Sequence, residues 1–222
     1  MEVAMARTKL STLWMLIPIV FAITESVDAQ IPLAPNAHNA ANERQGQWVV
    51  KLDSEGRECE EEGLASYAVC SYRDGVLNGY YAEYWMNGRK KRECVFMSGE
   101  TVGIERRWRE NGTMESEVTW KRGVRDGELR VWYENGQLQK LVTLHNGNEH
   151  GTMWEWYDNG MGAALVEYSH GKLHGRHMRW HKNGVLALES TYEDGKLIGQ
   201  YKTWDDKGKI VLERKLNEAE SR

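Results

Sequence analysis

Glycine recurs at a fixed spacing through most of this chain, and this spacing constrains the fold more than any other feature. Three columns of glycine, beginning at Gly75, Gly79 and Gly88, repeat every 24 residues through six units without an insertion or deletion. Self-similarity at such a period indicates a repeat architecture, in which each unit packs mainly on its neighbours.

An aromatic residue and an Asn-Gly pair accompany the glycines of each unit. The aromatic column, which we expect to form the framework, contains Tyr84, Trp108, Trp132, Trp156, Trp180 and Trp204. Asn precedes the third glycine in five of the six units, and Asn-Gly between two runs of about six residues is a strong hairpin signal. Each unit is therefore predicted to be one β-hairpin, and the chain to be all-β, an elongated single antiparallel sheet of tandem 24-residue hairpins.

The type of turn follows from which residues share a face of the sheet. A two-residue turn would place Trp132 and Leu138 on opposite faces, whereas a three-residue loop at 134–136 pairs them on one face. By alternation, the same face would also hold Val142 and Leu144. We therefore expect the three-residue loop and one continuous ladder of aromatic and aliphatic side chains. The Gly-x-x-x-Gly segment is expected to supply the return turn to the next hairpin.

The ends of the chain differ from the repeats. Residues 1–29 have the basic, apolar and small-residue regions of a secretory signal peptide, with cleavage near Ala29, so export to the periplasm or outside the cell is expected. A signal anchor is the alternative, because Glu2 weakens the basic region. The remainder is predicted to contain a flexible leader (30–45), a degenerate N-terminal repeat or cap (46–72), six repeats (73–216) and a polar tail (217–222).

The pattern G-x-x-x-G-x-x-x-x-[WY]-x-x-N-G over residues 73–216 resembles the MORN-repeat class. More closely, it resembles the MORN-variant repeats of the YwqK-type antitoxin family. The resemblance implies a tandem of hairpins and a protein that binds another protein, as antitoxins or immunity-like proteins do. MORN repeats elsewhere are linked to membrane lipids and to scaffold assembly. No catalytic residue is carried over, since the repeat pattern contains none.

Composition and spacing argue against several kinds of chemistry. With 29 basic and 33 acidic side chains, the net charge of −4 disfavours nucleic acid as a partner. No nucleophile elbow or phosphate-binding loop is present, and no carboxylate pair stands out from the repeat. A hydrolase that acts on a cell-envelope polymer would need two such carboxylates and is therefore the weakest of the functional hypotheses. His174, His177 and His181 fall on a strand and a turn, which disfavours a metal site. The chain is predicted to be non-enzymatic, with no cofactor or metal.

Three cysteines raise the question of a disulfide. Cys70 and Cys94 occupy equivalent positions of successive units, about 9–10 Å apart in a regular sheet, which is too far for a disulfide. Cys59 with Cys70 is the favoured pair if a disulfide forms, and reduced, partly buried thiols are the alternative.

Side chains that vary between units on a constant framework are the candidates for partner binding. They are Tyr81, Arg106, Arg107, Tyr133, Trp154, Tyr157, His177 and His181. Trp154 and Tyr157 are large aromatic residues outside the framework column, a residue type typical of interface hot spots.

The leading hypothesis is an exported, non-enzymatic protein that binds another macromolecule, most favourably a protein. The alternative is a membrane- or envelope-associated scaffold, whose basic clusters at 89–92 and 106–109 would bind anionic lipid head groups. The edge strands of an open sheet also permit self-association.

Overall fold

One antiparallel sheet accounts for the architecture of the chain. The computed structural model describes residues 36–60 and 62–216, in which sixteen strands form a sheet that does not close on itself. The predicted signal peptide at 1–29, the first part of the leader and the polar tail at 217–222 lie outside the described residues. Nowhere in the described ranges does a helix occur that could cross a membrane.

The strands follow one another across the sheet in chain order. They are β1 (Ala37–His38), β2 (Arg44–Asp53), β3 (Leu64–Arg73), β4 (Val76–Trp85), β5 (Lys90–Met97), β6 (Glu100–Trp108), β7 (Met114–Lys121), β8 (Val124–Trp132), β9 (Leu138–His145), β10 (Asn148–Glu149), β11 (Gly151–Trp156), β12 (Gly162–Ser169), β13 (Lys172–Trp180), β14 (Leu186–Glu193), β15 (Lys196–Trp204) and β16 (Ile210–Lys215). Each strand pairs with its neighbours, and the short β10 pairs with β9 beside β11. The predicted all-β fold of tandem hairpins in a single elongated sheet is confirmed.

The N-terminal part of the described chain extends the sheet beyond the six repeats. β1 pairs with the start of β2, at Ala37 with Gln45 and at His38 with Arg44. Part of the stretch predicted as a flexible leader therefore belongs to the sheet. β2 and β3 form a further hairpin, which covers the region predicted as a degenerate repeat or cap.

A three-residue loop closes each repeat hairpin, as expected, with Asn-Gly in the first five repeats and Lys207-Gly208 in the sixth. In the third repeat, the Tyr133 N–H donates to the Gln137 carbonyl (2.8 Å) and the Gly136 N–H donates to the Tyr133 carbonyl (3.0 Å). Asn135 Oδ1 accepts the Gln137 N–H at 3.0 Å. Gly136 has a φ of +85°, the left-handed conformation that this loop requires and that glycine adopts without a steric penalty.

The return turn is shorter than the predicted Gly-x-x-x-Gly segment. Between β7 and β8, Lys121 pairs with Val124, so only Arg122 and Gly123 form the turn. Both have positive φ, 49° and 73°, as in the two-residue type I′ hairpin. The second glycine, Gly127, lies inside β8, where the register between β7 and β8 shifts.

A β-bulge inside each repeat hairpin determines which face the aromatic column occupies. In the pairing of β8 with β9, Val131 is opposite Lys140, but Trp132 is opposite Leu138, so β9 contains one extra residue. An extra residue reverses the alternation of side chains beyond it. The expected pairing of Trp132 with Leu138 is confirmed, whereas the expectation that Val142 and Leu144 share their face is wrong.

Contacts between side chains show this separation of the two faces. The Trp154 ring stacks on Trp156, with ring centroids 6.2 Å apart. Trp154 pairs with Leu165 of β12, and Leu165 points away from its neighbours Ala164 and Val166 because successive side chains alternate. Since Ala164 and Val166 are core residues, the aromatic column lies on the opposite face.

The main core cluster defines what we call the core face of the sheet. Its buried members are Val118, Val142, Leu144, Met153, Ala164 and Val166, with Trp120, Leu129, Tyr168 and Leu173 packed against them. A second cluster under the N-terminal hairpin contains Trp48, Val50, Leu52, Ala68 and Cys70. The aromatic column lies on the other side, which we call the outer face, and its six side chains are half-buried. The framework of the repeat is therefore distinct from its core.

Candidate functional site

The structure does not gather the eight predicted partner-binding residues into one surface. Arg106 and Trp154 lie on the outer face, since they pair with Glu117 and Leu165 there. Tyr81, Arg107 and His177 lie on the core face, and so, by alternation with the aromatic column, do Tyr133, Tyr157 and His181.

Tyr133, Tyr157 and His181 belong to a column of residues that immediately follow the aromatic column. Tyr133 donates its hydroxyl to the Trp156 carbonyl at 2.8 Å, and Tyr157 donates to the Trp180 carbonyl at 2.7 Å. His181 Nε2 lies 2.8 Å from the Trp204 carbonyl. We call this the donor column, because each side chain bonds the backbone of the next unit; the bonds from the first two units are Trp85 Nε1 to Trp108 O and Arg109 Nη2 to Trp132 O.

The donor column explains why residue type varies at these positions. Indole, guanidinium, phenol and imidazole groups differ in chemistry, but each can donate a hydrogen bond. The variation that suggested partner binding is therefore accompanied by a shared structural contact, which links neighbouring repeats. The loop asparagines act in the same way, for example Asn135 Nδ2 to the Asp158 carbonyl at 2.7 Å.

Replacement of Tyr133 by phenylalanine tests this structural role. The variant loses one hydrogen bond between repeats, and we expect its free energy of unfolding to fall by about 1 kcal/mol. Urea denaturation would measure the change. Tyr80→Phe is the control, because Tyr80 is 48% exposed and its hydroxyl bonds the Glu93 carboxylate of the same hairpin (3.1 Å) rather than the backbone of the next repeat. Equal stability of the wild-type protein and Tyr133→Phe would contradict a role in linking repeats.

A buried carboxylate that the sequence did not single out organises the core face near the N-terminal repeats. Glu105 is 2% exposed. Its Oε2 accepts a hydrogen bond from Arg92 and its Oε1 accepts one from Arg107, both at 2.7 Å. The equivalent residues of the next two units, Leu129 and Met153, are apolar. The sequence feature that could have identified Glu105 is an acidic residue in a repeat column that is otherwise apolar or aromatic.

Burial shifts the pKa of two other predicted binding residues on the core face, Tyr81 and His177. Burial raises the pKa of the Tyr81 hydroxyl above its usual range. Burial, and secondarily the charge of Arg179, lowers the pKa of His177, so the folded protein favours its neutral form. His177 Nδ1 is buried without a hydrogen-bond partner within the described chain.

The basic clusters are divided between the two faces, and most of their side chains pair with carboxylates. Lys90 contacts Glu93 at 2.6 Å and Lys91 contacts Glu83 at 2.7 Å. Other contacts of these clusters include Arg92 and Arg107 with Glu105, Arg106 with Glu93 and Glu117, Arg89 with the Asn111 carbonyl, and Arg109 with the Trp132 carbonyl. These cations therefore do not form one continuous basic patch.

On the outer face, a row of side chains runs across the strands along the length of the sheet. Its first part is an ion-pair ladder of Glu93, Arg106, Glu117 and Arg130. Arg106 bonds Glu93 at 3.2 Å and Glu117 at 2.8 Å, and Arg130 bonds Glu117 at 2.9 Å. We call these four residues the first ladder.

The charged row is then replaced by apolar residues. Leu141, Trp154, Leu165 and Met178 occupy the next four strands and pair in that order; we call them the apolar segment. Trp154 is 37% exposed, whereas Leu165 beside it is 5% exposed. The apolar segment therefore presents an indole ring to solvent above a closely packed support.

Charges return on the last three strands. Glu189, Lys202 and Glu213 continue the row, and Lys202 bonds Glu213 at 3.1 Å; we call these residues the second ladder. The first ladder, the apolar segment and the second ladder together form what we call the stripe. Of the predicted binding residues, the stripe brings together only Arg106 and Trp154.

All three cysteines are free thiols in the structure, so the favoured Cys59–Cys70 pairing is not formed. Cys70 and Cys94 are buried, and burial raises the pKa of each thiol to about 11. Within the described ranges, no group of three or more histidine, cysteine or carboxylate side chains is arranged to hold a metal ion.

The buried thiols are expected to resist alkylation in the folded protein. At pH 8 a thiol with a pKa of about 11 is only about one-thousandth thiolate, and the thiolate is the reactive form. Iodoacetamide should therefore modify Cys59, which is only partly buried, well before Cys70 or Cys94, and peptide mass mapping would show the order. The same reaction in 6 M guanidinium is the control. Equal rates at all three sites in the folded protein would contradict the burial.

Comparison with known proteins supports the repeat. A family model described as a MORN repeat variant matches residues 101–122, 125–146 and 173–194. The three segments correspond closely to the hairpins β6–β7, β8–β9 and β13–β14. No curated protein matches the chain. MORN repeats are generally involved in binding proteins or membranes.

Proposed function

We propose that this chain of MORN-variant repeats is a non-enzymatic protein-binding module whose contact surface is the stripe. The main observation in support of this proposal is the apolar segment, which interrupts a row of side chains that is otherwise charged. A dehydrated apolar centre with a charged rim is the usual anatomy of a protein interface. Trp154, exposed at that centre, is the residue type most enriched among interface hot spots.

The packing around Trp154 supports a binding role for its ring. The ring stacks on Trp156 and is flanked on the neighbouring strands by Leu141 and Leu165. A side chain held in this way loses little conformational freedom on binding, which reduces the cost of forming an interface.

Affinity capture with a matched pair of variants tests the proposal. We expect a protein partner to be retained from extract by the wild-type chain and lost with Trp154→Glu. Gln139→Glu is the control, because it adds the same charge beside Tyr133 and Lys140 on the core face. Equal capture by all three proteins would contradict a role for the stripe. Circular dichroism would verify that both variants keep the sheet.

Membrane lipid is the less favoured ligand, because five of the seven cations of the basic clusters are paired with carboxylates and the clusters are divided between the two faces. Binding to anionic head groups needs an excess of unpaired cations near the surface. We expect no co-sedimentation with vesicles of phosphatidylserine and phosphatidylcholine at 0.1 M salt. Binding that disappears at high salt would favour the scaffold alternative.

Export is a further part of the proposal, supported by the pattern of residues 1–29. The resemblance to the YwqK-type antitoxin family suggests an immunity-like role, which an exported chain would exert on a toxin outside the cytoplasm. Fractionation with N-terminal sequencing tests the first point. A mature protein beginning near Gln30 outside the cytoplasm is expected, and an uncleaved cytoplasmic chain would contradict export.

A further inference from the structure

We infer that the stripe binds a second copy of this chain, face to face, as a two-fold dimer in which the two stripes run antiparallel. The inference rests on the proposed function, in that it takes the stripe as the contact surface and names the partner. A two-fold interface requires a surface that is complementary to itself. The order of residues along the stripe meets this requirement.

A two-fold axis parallel to the strands, passing between Trp154 and Leu165, reverses the order of the stripe in the second copy. Trp154 of one copy then faces Leu165 of the other, and Leu141 faces Met178. The charged neighbours match as well, because Arg130 faces Glu189 and Glu117 faces Lys202. The next pair outward, Arg106 with Glu213, is also of opposite charge. The apolar segment is therefore enclosed on both sides by complementary charges.

Other positions of the axis lack this match. An axis through the strand of Trp154 places Glu117 opposite Glu189. An axis through the strand of Leu165 places Arg130 opposite Lys202. Like charges facing each other across an interface are strongly unfavourable. An axis between Leu141 and Trp154 places Arg130 opposite Leu165, and an axis between Leu165 and Met178 places Glu189 opposite Trp154. The charged and apolar residues together therefore favour the register described above.

Glu189 provides an independent observation. It lies next to the apolar segment, pairs with Met178 across the strands and is exposed. Within the described chain its carboxylate has no hydrogen bond or ion pair, although Lys202 of the same ladder bonds Glu213. In the dimer, Arg130 of the second copy supplies the missing partner.

The dimensions of the sheet are compatible with this dimer. Aligned sheets pack about 10 Å apart and cross at about 30°. Arg130 and Glu189 lie two and a half strand spacings, about 12 Å, from the axis, so this crossing displaces them by about 6 Å, within the combined reach of the two side chains.

The area available is also sufficient. The ten adjacent strands from β6 to β16 span about 43 Å, and about six residues of each strand span about 20 Å. The face thus offers about 850 Å² per copy, close to the ~800 Å² per partner of a standard interface.

Mixing two charge-reversed proteins tests the dimer. In a dimer of Arg130→Glu, the new glutamate of each copy faces Glu189 of the other copy, so two like-charged contacts form. In a dimer of Glu189→Arg, the new arginine of each copy faces Arg130 of the other copy, with the same result. Each variant should be monomeric, with self-association weakened at least tenfold. An equimolar mixture should restore a one-to-one heterodimer, since both contacts are then of opposite charge. Sedimentation equilibrium, with one protein carrying a fluorophore, would measure all three samples.

The controls separate this dimer from other forms of self-association. Arg179→Glu has the same charge change as Arg130→Glu but lies on the core face, since Arg179 pairs with Ala164, and it should remain dimeric. Trp154→Glu should be monomeric. Dimers that persist in Trp154→Glu, as edge-to-edge pairing would give, or a mixture that stays monomeric, would overturn the proposed dimer.

The outcomes for the dimer and for the proposed function are distinguishable. A wild-type protein that is monomeric at 100 μM overturns the dimer. If the same protein captures a different partner in a manner that depends on Trp154, the stripe still functions as a protein-binding surface. Loss of both results would overturn both inferences.

Discussion

Replacement of Glu105 by alanine is expected to lower the free energy of unfolding by about 3–5 kcal/mol, because it removes one partner of a buried ion pair. Glu105 is 2% exposed and bonds Arg92, whose side chain is 24% exposed. The Arg92 Nε atom already lacks a hydrogen-bond partner in the described chain. The variant would therefore leave a mostly buried guanidinium without its counterion. Urea denaturation followed by tryptophan fluorescence would measure the loss.

The repeat itself supplies the matched control. One unit further along the chain, Ser116 and Leu129 occupy the positions of Arg92 and Glu105. The double variant Arg92→Ser/Glu105→Leu copies that apolar interface, and replacing a buried ion pair by well-packed apolar residues is often neutral or stabilising. We expect it to be close to the wild-type protein in stability. If the double variant were as unstable as Glu105→Ala, the ion pair would contribute more to the free energy of unfolding than the cost of burying its two charges.

Gly127→Ala is expected to destabilise the protein by about 3 kcal/mol or more, combining backbone strain with a steric clash. Gly127 has a φ of +130°, and a Cβ added there would lie 2.7 Å from the Thr119 Cβ. Neither atom can move without shifting the backbone of β7 or β8. Thermal unfolding followed by circular dichroism would show a lower melting temperature.

Gly103 belongs to the same glycine column and provides the comparison. Its φ is +72°, and a Cβ added there would meet nothing within 4 Å. Gly103→Ala should therefore cost only the strain of the left-handed conformation, about 1–2 kcal/mol. Equal costs at both positions would mean that the contact with Thr119 relaxes without penalty.

The hairpins could be predicted because each depends on a local chemical signature. Asn135 and Gly136 stand at the one place where the loop needs a side-chain acceptor for a backbone N–H and a positive φ. The period of 24 residues then repeats the same solution. The architecture therefore followed from turn chemistry and periodicity, without knowledge of any contact between distant residues.

The face of the aromatic column could not be predicted, because the bulge has no such signature. The extra residue in β9 falls at Gln139, between Leu138 and Lys140. The equivalent residues of the units on either side are Glu115 and Ala163, and no residue type marks the position. Counting residues from the turn gave the pairing of Trp132 with Leu138 but placed both on the core face.

The candidate site was predicted only in part, because variation between units has two causes. Trp154 varies from its equivalents and lies exposed in the stripe. Tyr133 also varies, yet its hydroxyl bonds the next repeat. One 24-residue column already shows the change from charged to apolar and back, at Glu93, Glu117, Leu141, Leu165, Glu189 and Glu213. The opposite charges become neighbours only when the register of the paired strands interleaves this column with a second one.

The donor column also bears on how such a chain can change its length. The acceptor of each bond is a main-chain carbonyl, such as that of Trp156, and every amino acid carries one. This hydrogen bond between two neighbouring units therefore does not depend on the side chains of the second unit. Recombination between equivalent positions can add or delete a whole module and keep these hydrogen bonds, whereas a shorter insertion would displace a turn. Genes encoding chains of this type are expected to differ in length by multiples of 72 nucleotides.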